Sequence, residues 1–175
     1  MDSRRRGFLS GGITVCGFAM TSIAGLSQSR SARADNNGSR QRLIEAVGQA
    51  WTSRGDFAIN EQWLADGAIY HMSPFSDFKS AAELNGFIKL FKQGFPDFEV
   101  VFDEHLSEGT RSCHRWHVSG TYTGETPIFK VPPTGKRSVT SGCHIVHWSG
   151  EKAAEVWHIG DWLGGLQSAG IIPAG

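Results

Sequence analysis

Apolar residues recur at helical spacing near the start of the second quarter of the chain. A first amphipathic helix is predicted from its buried stripe, which consists of Leu43, Ile44, Val47, Ala50 and Trp51. Gly55 ends this helix, and Asp56 can cap a second, short helix that carries Ile59, Trp63 and Leu64. A short strand is predicted over 68–72, before Ser73-Pro74.

The clearest helix start is the sequence Ser80-Ala81-Ala82-Glu83. A serine followed three residues later by glutamate forms a capping box, in which each side chain satisfies a free backbone N–H. The apolar residues that follow share one helical face, and they are Leu84, Phe87, Ile88 and Phe91. Gly94 and Pro96 end this third helix.

After the third helix the pattern changes to strands. Four strand-like runs cover 98–106, 112–122, 138–148 and 153–161, and a short terminal helix begins at Asp161. Helices followed by consecutive antiparallel strands predict an α+β fold. A strongly curved, mostly antiparallel sheet wrapped around the long helix would form a cone with an apolar interior and one open mouth.

The first residues have the pattern of an export signal. Arg4-Arg5-Arg6-Gly7-Phe8-Leu9 precedes a short, modestly apolar stretch that ends at Ala32-Arg33-Ala34. This pattern predicts a twin-arginine (Tat) signal peptide over 1–34, a domain over 35–175 with a loose start at 35–39, and a periplasmic or secreted protein. The alternative is a basic, disordered terminus followed by a buried helix.

Charge and cysteine content narrow the function classes. Residues 35–175 hold 12 basic and 16 acidic residues and no basic patch, so we expect no nucleic acid partner, and no membrane contact after signal cleavage. Cys113 and Cys143 are either small buried hydrophobes or a disulfide pair. The histidines follow strands at alternate or irregular spacing, so no metal is expected.

One face of the last strand carries the candidate chemistry. Side chains alternate, so Glu155, Trp157, Ile159 and Asp161 share a face. A carboxylate among apolar neighbours is a stronger base, which suits proton removal next to a carbonyl. Alternatively, Asp161 simply caps the terminal helix.

Two further positions have structural alternatives. Arg115, if buried, needs a partner, for which Glu155 is the candidate, and such a pair is more often structural than catalytic. His147 on the preceding strand is either a hydrogen-bonded strand residue or a group that orients Asp161 and polarises a carbonyl.

A series of short motifs carries a family resemblance, strongest from Phe95 onwards. In chain order the motifs are Phe95-Pro96-Asp97-Phe98, Arg115-Trp116, Gly120-Thr121-Tyr122-Thr123-Gly124, Pro133-Thr134-Gly135-Lys136, Glu155-Val156-Trp157, Asp161 and Leu166-Gln167. Their order and spacing resemble the SnoaL-like polyketide cyclases, or ester cyclases, within the larger group with the ketosteroid isomerase or nuclear transport factor 2 fold.

The resemblance implies roles for individual residues. Asp161 falls where these cyclases place their acid/base aspartate, and His147 and His71 fall where the family has histidines, although His71 also suits a simple turn. Tyr122 replaces a common histidine, so the ligand or the chemistry of this chain would differ. Arg115, Tyr122, Glu155 and Trp157 are then candidates for substrate binding.

Two classes of function follow from the resemblance. The first is a cofactor-independent cyclase, in which Asp161 forms an enolate that attacks a second carbonyl of one small hydrophobic substrate; isomerase or dehydratase chemistry is the nearest enzymatic rival. The second is a non-catalytic binding module of the same fold, with which export is compatible. A homodimer is compatible with either function.

Overall fold

A computed structural model describes residues 23–52 and 54–174 of the chain. Residues 1–22, which include the arginines and most of the apolar stretch of the predicted signal peptide, lie outside the described residues. The described part contains no helix that is both long and apolar enough to cross a membrane.

Helices and strands alternate only in the first half of the chain, and strands dominate the second half. In chain order the elements are α1 (Ile23–Trp51), α2 (Ala58–Trp63), β1 (Leu64–Met72), β2 (Ser76–Phe78), α3 (Ala81–Gly94), β3 (Glu99–Glu108), β4 (Arg111–Thr121), β5 (Arg137–Ser149), β6 (Lys152–Gly160) and α4 (Trp162–Ser168). This order confirms the predicted α+β class.

The strands form one curved, open sheet of six strands in the order β2-β1-β6-β5-β4-β3. All neighbouring strands are antiparallel except β1 and β6, which run parallel. The helices cover one face of the sheet, here called the inner face, and the core lies between them. The opposite, outer face is open to solvent. The predicted curved, mostly antiparallel sheet is therefore confirmed.

Helix α3 begins as the capping pattern predicts. The Ser80 hydroxyl oxygen accepts a hydrogen bond from the Glu83 backbone N–H at 3.2 Å. The Glu83 carboxylate accepts from the backbone N–H of Lys79, at 2.7 Å, rather than from that of Ser80. The first bond satisfies an N–H group that the first helical turn leaves free, and the second satisfies the N–H of the residue that precedes the cap.

Two elements differ from the sequence expectation. Helix α1 continues through residues 35–39, so the prediction of a loose start was wrong. The buried Arg40 holds this part of the helix to the sheet end, because its guanidinium donates to the Gly109 and Gly150 carbonyls at 2.8 and 2.7 Å. The other missed element is β2, whose three residues are too few to show an alternating pattern.

The apolar face of α3 is predicted nearly correctly. Leu84, Ile88 and Phe91 are buried, whereas Phe87 is only half-buried at the edge of the core. Its ring packs against Phe78 at a centroid distance of 5.2 Å. Ile88, with no exposed surface, is therefore the better test of this helix as the core helix.

We expect Ile88→Ala to lower the free energy of unfolding by about 2–5 kcal/mol, because it removes a fully buried side chain and leaves a cavity. Phe87→Ala should lower the free energy of unfolding by less than the replacement of a fully buried phenylalanine by alanine would. The matched control is Lys89→Ala, which changes an exposed residue of the same turn and should cost about 0.5 kcal/mol or less. Urea unfolding measures all three, and equal losses for Ile88→Ala and Lys89→Ala would contradict this packing.

Candidate functional site

The alternation of side chains along β5 and β6 sorts the candidate residues between the two faces of the sheet. His144 and Val146 of β5, and Val156 and His158 of β6, point to the inner face and are buried. His147 lies on the outer face with the other odd-numbered residues of β5. The predicted alternation is confirmed, but most of the predicted site residues lie outside the cone.

Four of the predicted site residues meet on the outer face. His71 donates from Nε2 to Glu155 Oε1 at 3.0 Å, and His147 Nδ1 lies 3.9 Å from Glu155 Oε2. The ring of Trp157 stands between the two imidazoles, with centroids 5.3 Å from His71 and 4.6 Å from His147. Asp77 of β2 holds the Nδ1 of His71 at 3.0 Å.

The contacts of His71 define its charge. Both of its ring nitrogens face a carboxylate, and an imidazole that donates from both nitrogens is an imidazolium. The hydrogen bond to Glu155 raises the pKa of His71; burial opposes the rise, and Asp77 adds to it. The protonated form of His71 is thus favoured, and in this form it joins β2, β1 and β6 on the outer face.

Asp161 follows β6 and is the N-cap of α4. Its Oδ1 accepts from the Gly164 backbone N–H at 2.9 Å, as the capping alternative predicts. Its side chain is exposed, and the structure does not bring it together with His147. The expectation that it points into the cone beside His147 was therefore wrong, while a chemical role at the cone mouth stays a prediction.

Arg115 does not pair with Glu155, so that expectation was also wrong. Its guanidinium lies on the outer face, 2.9 Å from Asp103 and 3.5 Å from Glu104, both of β3. The sheet order explains this, because β4 neighbours β3 and β5 but not β6.

Tyr122, the remaining predicted binding residue, is fully buried in the core. Its hydroxyl donates to the Val131 carbonyl at 2.7 Å. The ring packs against Phe95 at a centroid distance of 5.4 Å.

The inner face holds a polar cluster that the sequence analysis did not select. Tyr70 of β1, His144 of β5 and His158 of β6 meet at one point of the core, and are here called the inner trio. The Tyr70 hydroxyl lies 2.8 Å from His144 Nε2 and 3.0 Å from His158 Nδ1, and these two nitrogens are 2.6 Å apart. Each pair of the three atoms is within hydrogen-bonding distance.

Burial keeps the inner trio uncharged. It lowers the pKa of His158 to about 3, and it lowers the pKa of His144 well below the ordinary range, with smaller contributions from His158 and His114. Burial likewise raises the pKa of the Tyr70 phenol far above its ordinary value. At neutral pH each imidazole therefore carries one proton, and the phenol keeps its own.

The number of protons on the inner trio determines which hydrogen bonds its outward nitrogens can make to other groups. If both imidazoles held their proton inside the trio, two N–H groups would face each other; if neither did, two lone pairs would. One histidine therefore donates inside the trio and the other accepts there. Of the outward atoms His144 Nδ1 and His158 Nε2, one is then a donor and the other an acceptor.

These outward nitrogens lack hydrogen-bond partners among the described residues, and so do the indole N–H groups of Trp116 and Trp162. All four residues line one interior cavity of about 20 Å³, whose other walls are apolar. That volume accommodates about one water molecule. The surface of the cavity itself is apolar. A buried polar atom that stays unpaired costs about 1–3 kcal/mol, so a water or a polar ligand group that reached these atoms would be stabilised.

An open cleft of about 440 Å³ lies beside this cavity, at the end of β6. His158 and Trp162 line both spaces, and Asp161 lines the cleft. Ser73 and Pro74, Leu163, Leu166 and Ile172 complete its largely apolar wall. The cleft therefore brings an exposed carboxylate and a neutral buried imidazole to the same place.

A second polar chain crosses the core near the other end of the sheet. Trp148 donates to the Ser112 oxygen at 2.7 Å, Ser112 lies 2.6 Å from His114 Nε2, and His114 Nδ1 lies 2.7 Å from His105 Nδ1. Burial, followed by the charge of His105, lowers the pKa of His114 to about 3. Because these four side chains satisfy one another, we interpret this series of hydrogen bonds as structural.

No three metal-ligating side chains gather at one point in the part of the chain that the structure describes. His144 and His158 use one nitrogen each within the inner trio, and His71 is held by carboxylates. The cavity and the cleft together offer hydrogen bonds from neutral imidazoles and indoles and one exposed carboxylate.

The contacts of His71 predict a pH dependence of stability. Its folded-state pKa lies above the ordinary value of 6.5, so its stabilisation is complete below that pH and is lost as the pH rises through the folded-state pKa. We expect wild type to lose up to about 1 kcal/mol more than His71→Gln between about pH 6 and about pH 8.5, since these pairs are partly exposed. Urea unfolding at several pH values measures the difference, and parallel curves would contradict the ion pairs.

Comparisons with known proteins agree with this architecture. The family model described as SnoaL-like polyketide cyclase matches residues 41–168. No curated protein sequence matches the chain.

Several solved structures have the same fold. A candidate SnoaL-like polyketide cyclase from Jannaschia sp. CCS1 is 15% identical, with a TM-score of 0.67, over 78% of this chain and 95% of that one. AclR, a candidate hydroxylase from Streptomyces galilaeus, is 22% identical with a TM-score of 0.65 over 79% and 85%. A protein of ketosteroid isomerase-like fold from Catenulispora acidiphila is 14% identical with a TM-score of 0.60 over 73% and 92%.

At these identities the structural similarity establishes the ketosteroid isomerase-like fold and not an activity. The family model covers most of the described chain, including the strands that carry the inner trio and the cleft. The chain therefore belongs to the SnoaL-like polyketide cyclase family.

Proposed function

We propose that the protein catalyses cofactor-independent, aldol-type acid–base chemistry on a small hydrophobic carbonyl compound. The compound would lie in the cleft, with its carbonyl end towards the interior cavity. The observation that carries this proposal is the set of four residues that line one cavity beside an open cleft, each with a buried polar atom that no described protein group satisfies. We also propose, on the N-terminal sequence alone, that the protein is exported by the Tat route.

The charge state of the cavity favours an uncharged ligand. Neutral imidazoles and indoles give hydrogen bonds but no net charge to hold an anion in an apolar surrounding. Three of the four unpartnered atoms are donors, and these suit a carbonyl oxygen with its two lone pairs. The cavity holds little more than this oxygen, so the hydrocarbon part of the ligand would occupy the larger cleft.

The same atoms suit stabilisation of an enolate. In the proposed step, His158 adopts the tautomer that carries its proton on Nε2, and this N–H and that of Trp162 donate to the carbonyl oxygen. Asp161 then takes a proton from the adjacent carbon. The enolate carbon then forms a bond to a second carbonyl carbon of the same molecule, and Asp161 returns the proton to the new alkoxide. Fixed donors in a water-poor site stabilise such an oxyanion, and the folded substrate supplies proximity.

Two backbone hydrogen bonds that fix Asp161 beside the cleft support this proposal. Its backbone N–H donates to the Ser141 carbonyl at 3.0 Å, and its carbonyl accepts from the Thr140 hydroxyl at 2.6 Å. Its carboxylate keeps acceptor capacity beyond the Gly164 cap, because an ionised carboxylate has about four lone-pair sites. Capping and proton transfer are therefore compatible in one residue.

A specific observation favours the second candidate, a non-catalytic binding module. The interior is filled by aromatic rings, among them Trp51, Trp116 and Phe102, and leaves room for about one water. In this alternative, a hydrophobic carbonyl compound binds in the cleft without reacting. Proton exchange at the carbon next to the carbonyl distinguishes the two functions, because only a catalyst accelerates it.

Asp161→Asn tests the catalytic role. A panel of small aryl ketones and 1,3-diketones is incubated in deuterated water, and mass spectrometry measures exchange at the carbon next to the carbonyl. For any compound that wild type accelerates, we expect Asp161→Asn to be about a hundred- to ten-thousand-fold slower, since asparagine keeps a capping oxygen but is no base.

Asp161→Ala is the matched control, and should lose about 1 kcal/mol of stability through the missing cap. Wild-type exchange rates in Asp161→Asn would remove Asp161 from the mechanism. Binding of these compounds without exchange by wild type would leave the binding module as the function.

His158→Leu tests the interior donors. Leucine has a similar volume and removes one unpartnered polar atom, but it also removes the contacts of His158 Nδ1 with Tyr70 and His144. These effects oppose each other, so the net change in the free energy of unfolding should stay within about 1–3 kcal/mol. Affinity for the same ketones, measured by calorimetry, should fall about tenfold or more. The control is His117→Leu, which changes an exposed outer-face histidine. Unchanged ketone affinity in His158→Leu would contradict the proposed pose.

A further inference from the structure

The outer face carries a pair of cysteines that the proposed function does not use. Cys113 of β4 is paired in register with Ile145, and Cys143 of β5 is paired with Arg115. The two cysteines are therefore diagonal neighbours on adjacent strands. Both are half-buried and unbridged, and both line an outer-face groove of about 470 Å³.

The diagonal position is unfavourable for a disulfide. Diagonal residues on neighbouring antiparallel strands lie about 7–8 Å apart, whereas the Cα atoms of bridged cysteines usually lie about 4.4–6.8 Å apart. A bond between the two sulfurs would thus require the strands to shift. The central position of β4 and β5 in the sheet, each paired along its length on both sides, resists such a shift.

The neighbouring Cys113 thiol affects the ionisation of Cys143. Burial raises the pKa of the Cys143 thiol, and the charge and hydrogen bond of the Cys113 side chain raise it further. Two thiolates would repel each other here unless a cation lay between them. A group that bridges two sulfurs without drawing them to bonding distance fits this geometry better than a covalent bond does.

We propose that Cys113 and Cys143 together bind one soft monovalent cation of the Cu(I) type as a two-coordinate bis-thiolate site. Each thiol loses its proton to solvent and each sulfur forms one bond to the cation, with no change of oxidation state. Soft thiolate ligands select such ions, whereas Zn²⁺ requires about four ligands. Within residues 23–52 and 54–174 no three metal-ligating side chains cluster, which leaves a two-ligand site for a soft ion as the fitting type.

The surroundings of the pair are compatible with a bound cation. The same groove is lined by the Arg115 guanidinium, which is paired with Asp103 and Glu104, and by the carboxylates of Glu104 and Asp161. These carboxylates favour the approach of a cation. The groove opens to solvent, so an ion could reach the sulfurs without unfolding.

The test is a titration of the reduced, full-length protein under anaerobic conditions with Cu(I) buffered by bicinchoninate. We expect one Cu(I) bound per chain and the release of two protons, one from each thiol, measured with a pH indicator in weak buffer. Cys113→Ser and Cys143→Ser should each weaken Cu(I) binding about 100-fold or more, because one thiolate is lost. Cys16→Ser is the matched control and should bind like wild type.

Zn²⁺ added to the same assay should displace little of the bound Cu(I). A serine variant can fail to fold, which its near-ultraviolet circular dichroism would show. In that case Cys113 and Cys143 are alkylated with iodoacetamide in folded Cys16→Ser, and the alkylated protein should lose Cu(I) binding. Wild-type affinity in Cys113→Ser or Cys143→Ser would overturn the site. Rapid formation of a Cys113–Cys143 disulfide in air, detected as a loss of two thiols, would overturn it in favour of a redox pair.

Discussion

The division of the sheet into an inner and an outer face is the constraint on which the rest of the structure depends. Because side chains alternate along a strand, each residue of β5 and β6 is assigned to the helix-covered core or to solvent by the pairing register alone. The core needs a continuous inner surface, which Val146, Trp148 and Val156 provide. His144 and His158 must then be buried with them, and His147 must be exposed.

This constraint explains why the candidate site could be predicted only in part from the sequence. His147 and Asp161 are separated by the same number of residues as His144 and His158, which are 14 apart. Spacing alone therefore does not distinguish the two pairs. The residues on the same strand face distinguish them. His144 and His158 share a face with Val146 and Val156, which a core requires, whereas His147 shares its face with Glu155.

The elements themselves were largely predictable, because local patterns determine them. The Ser80 and Glu83 cap, the α3 face and the four long strands follow from capping and alternation. The partner of Arg115 was not predictable in the same way, since it depends on the order of strands in the sheet. That order places β3 beside β4 and brings Asp103 to Arg115, and no local pattern along the chain encodes it.

The protonation of each histidine in this protein depends on the face of the sheet on which it lies. On the outer face, two carboxylates favour the protonated form of His71, which connects three strands. On the inner face, burial keeps His144 and His158 neutral, and each then has only one proton to share. A neutral pair cannot satisfy all of its nitrogens through one tyrosine hydroxyl, so beside the cleft the described protein groups leave hydrogen-bonding capacity for another molecule. A fully apolar core would avoid that cost, and a ligand with a carbonyl oxygen would offset it only on binding.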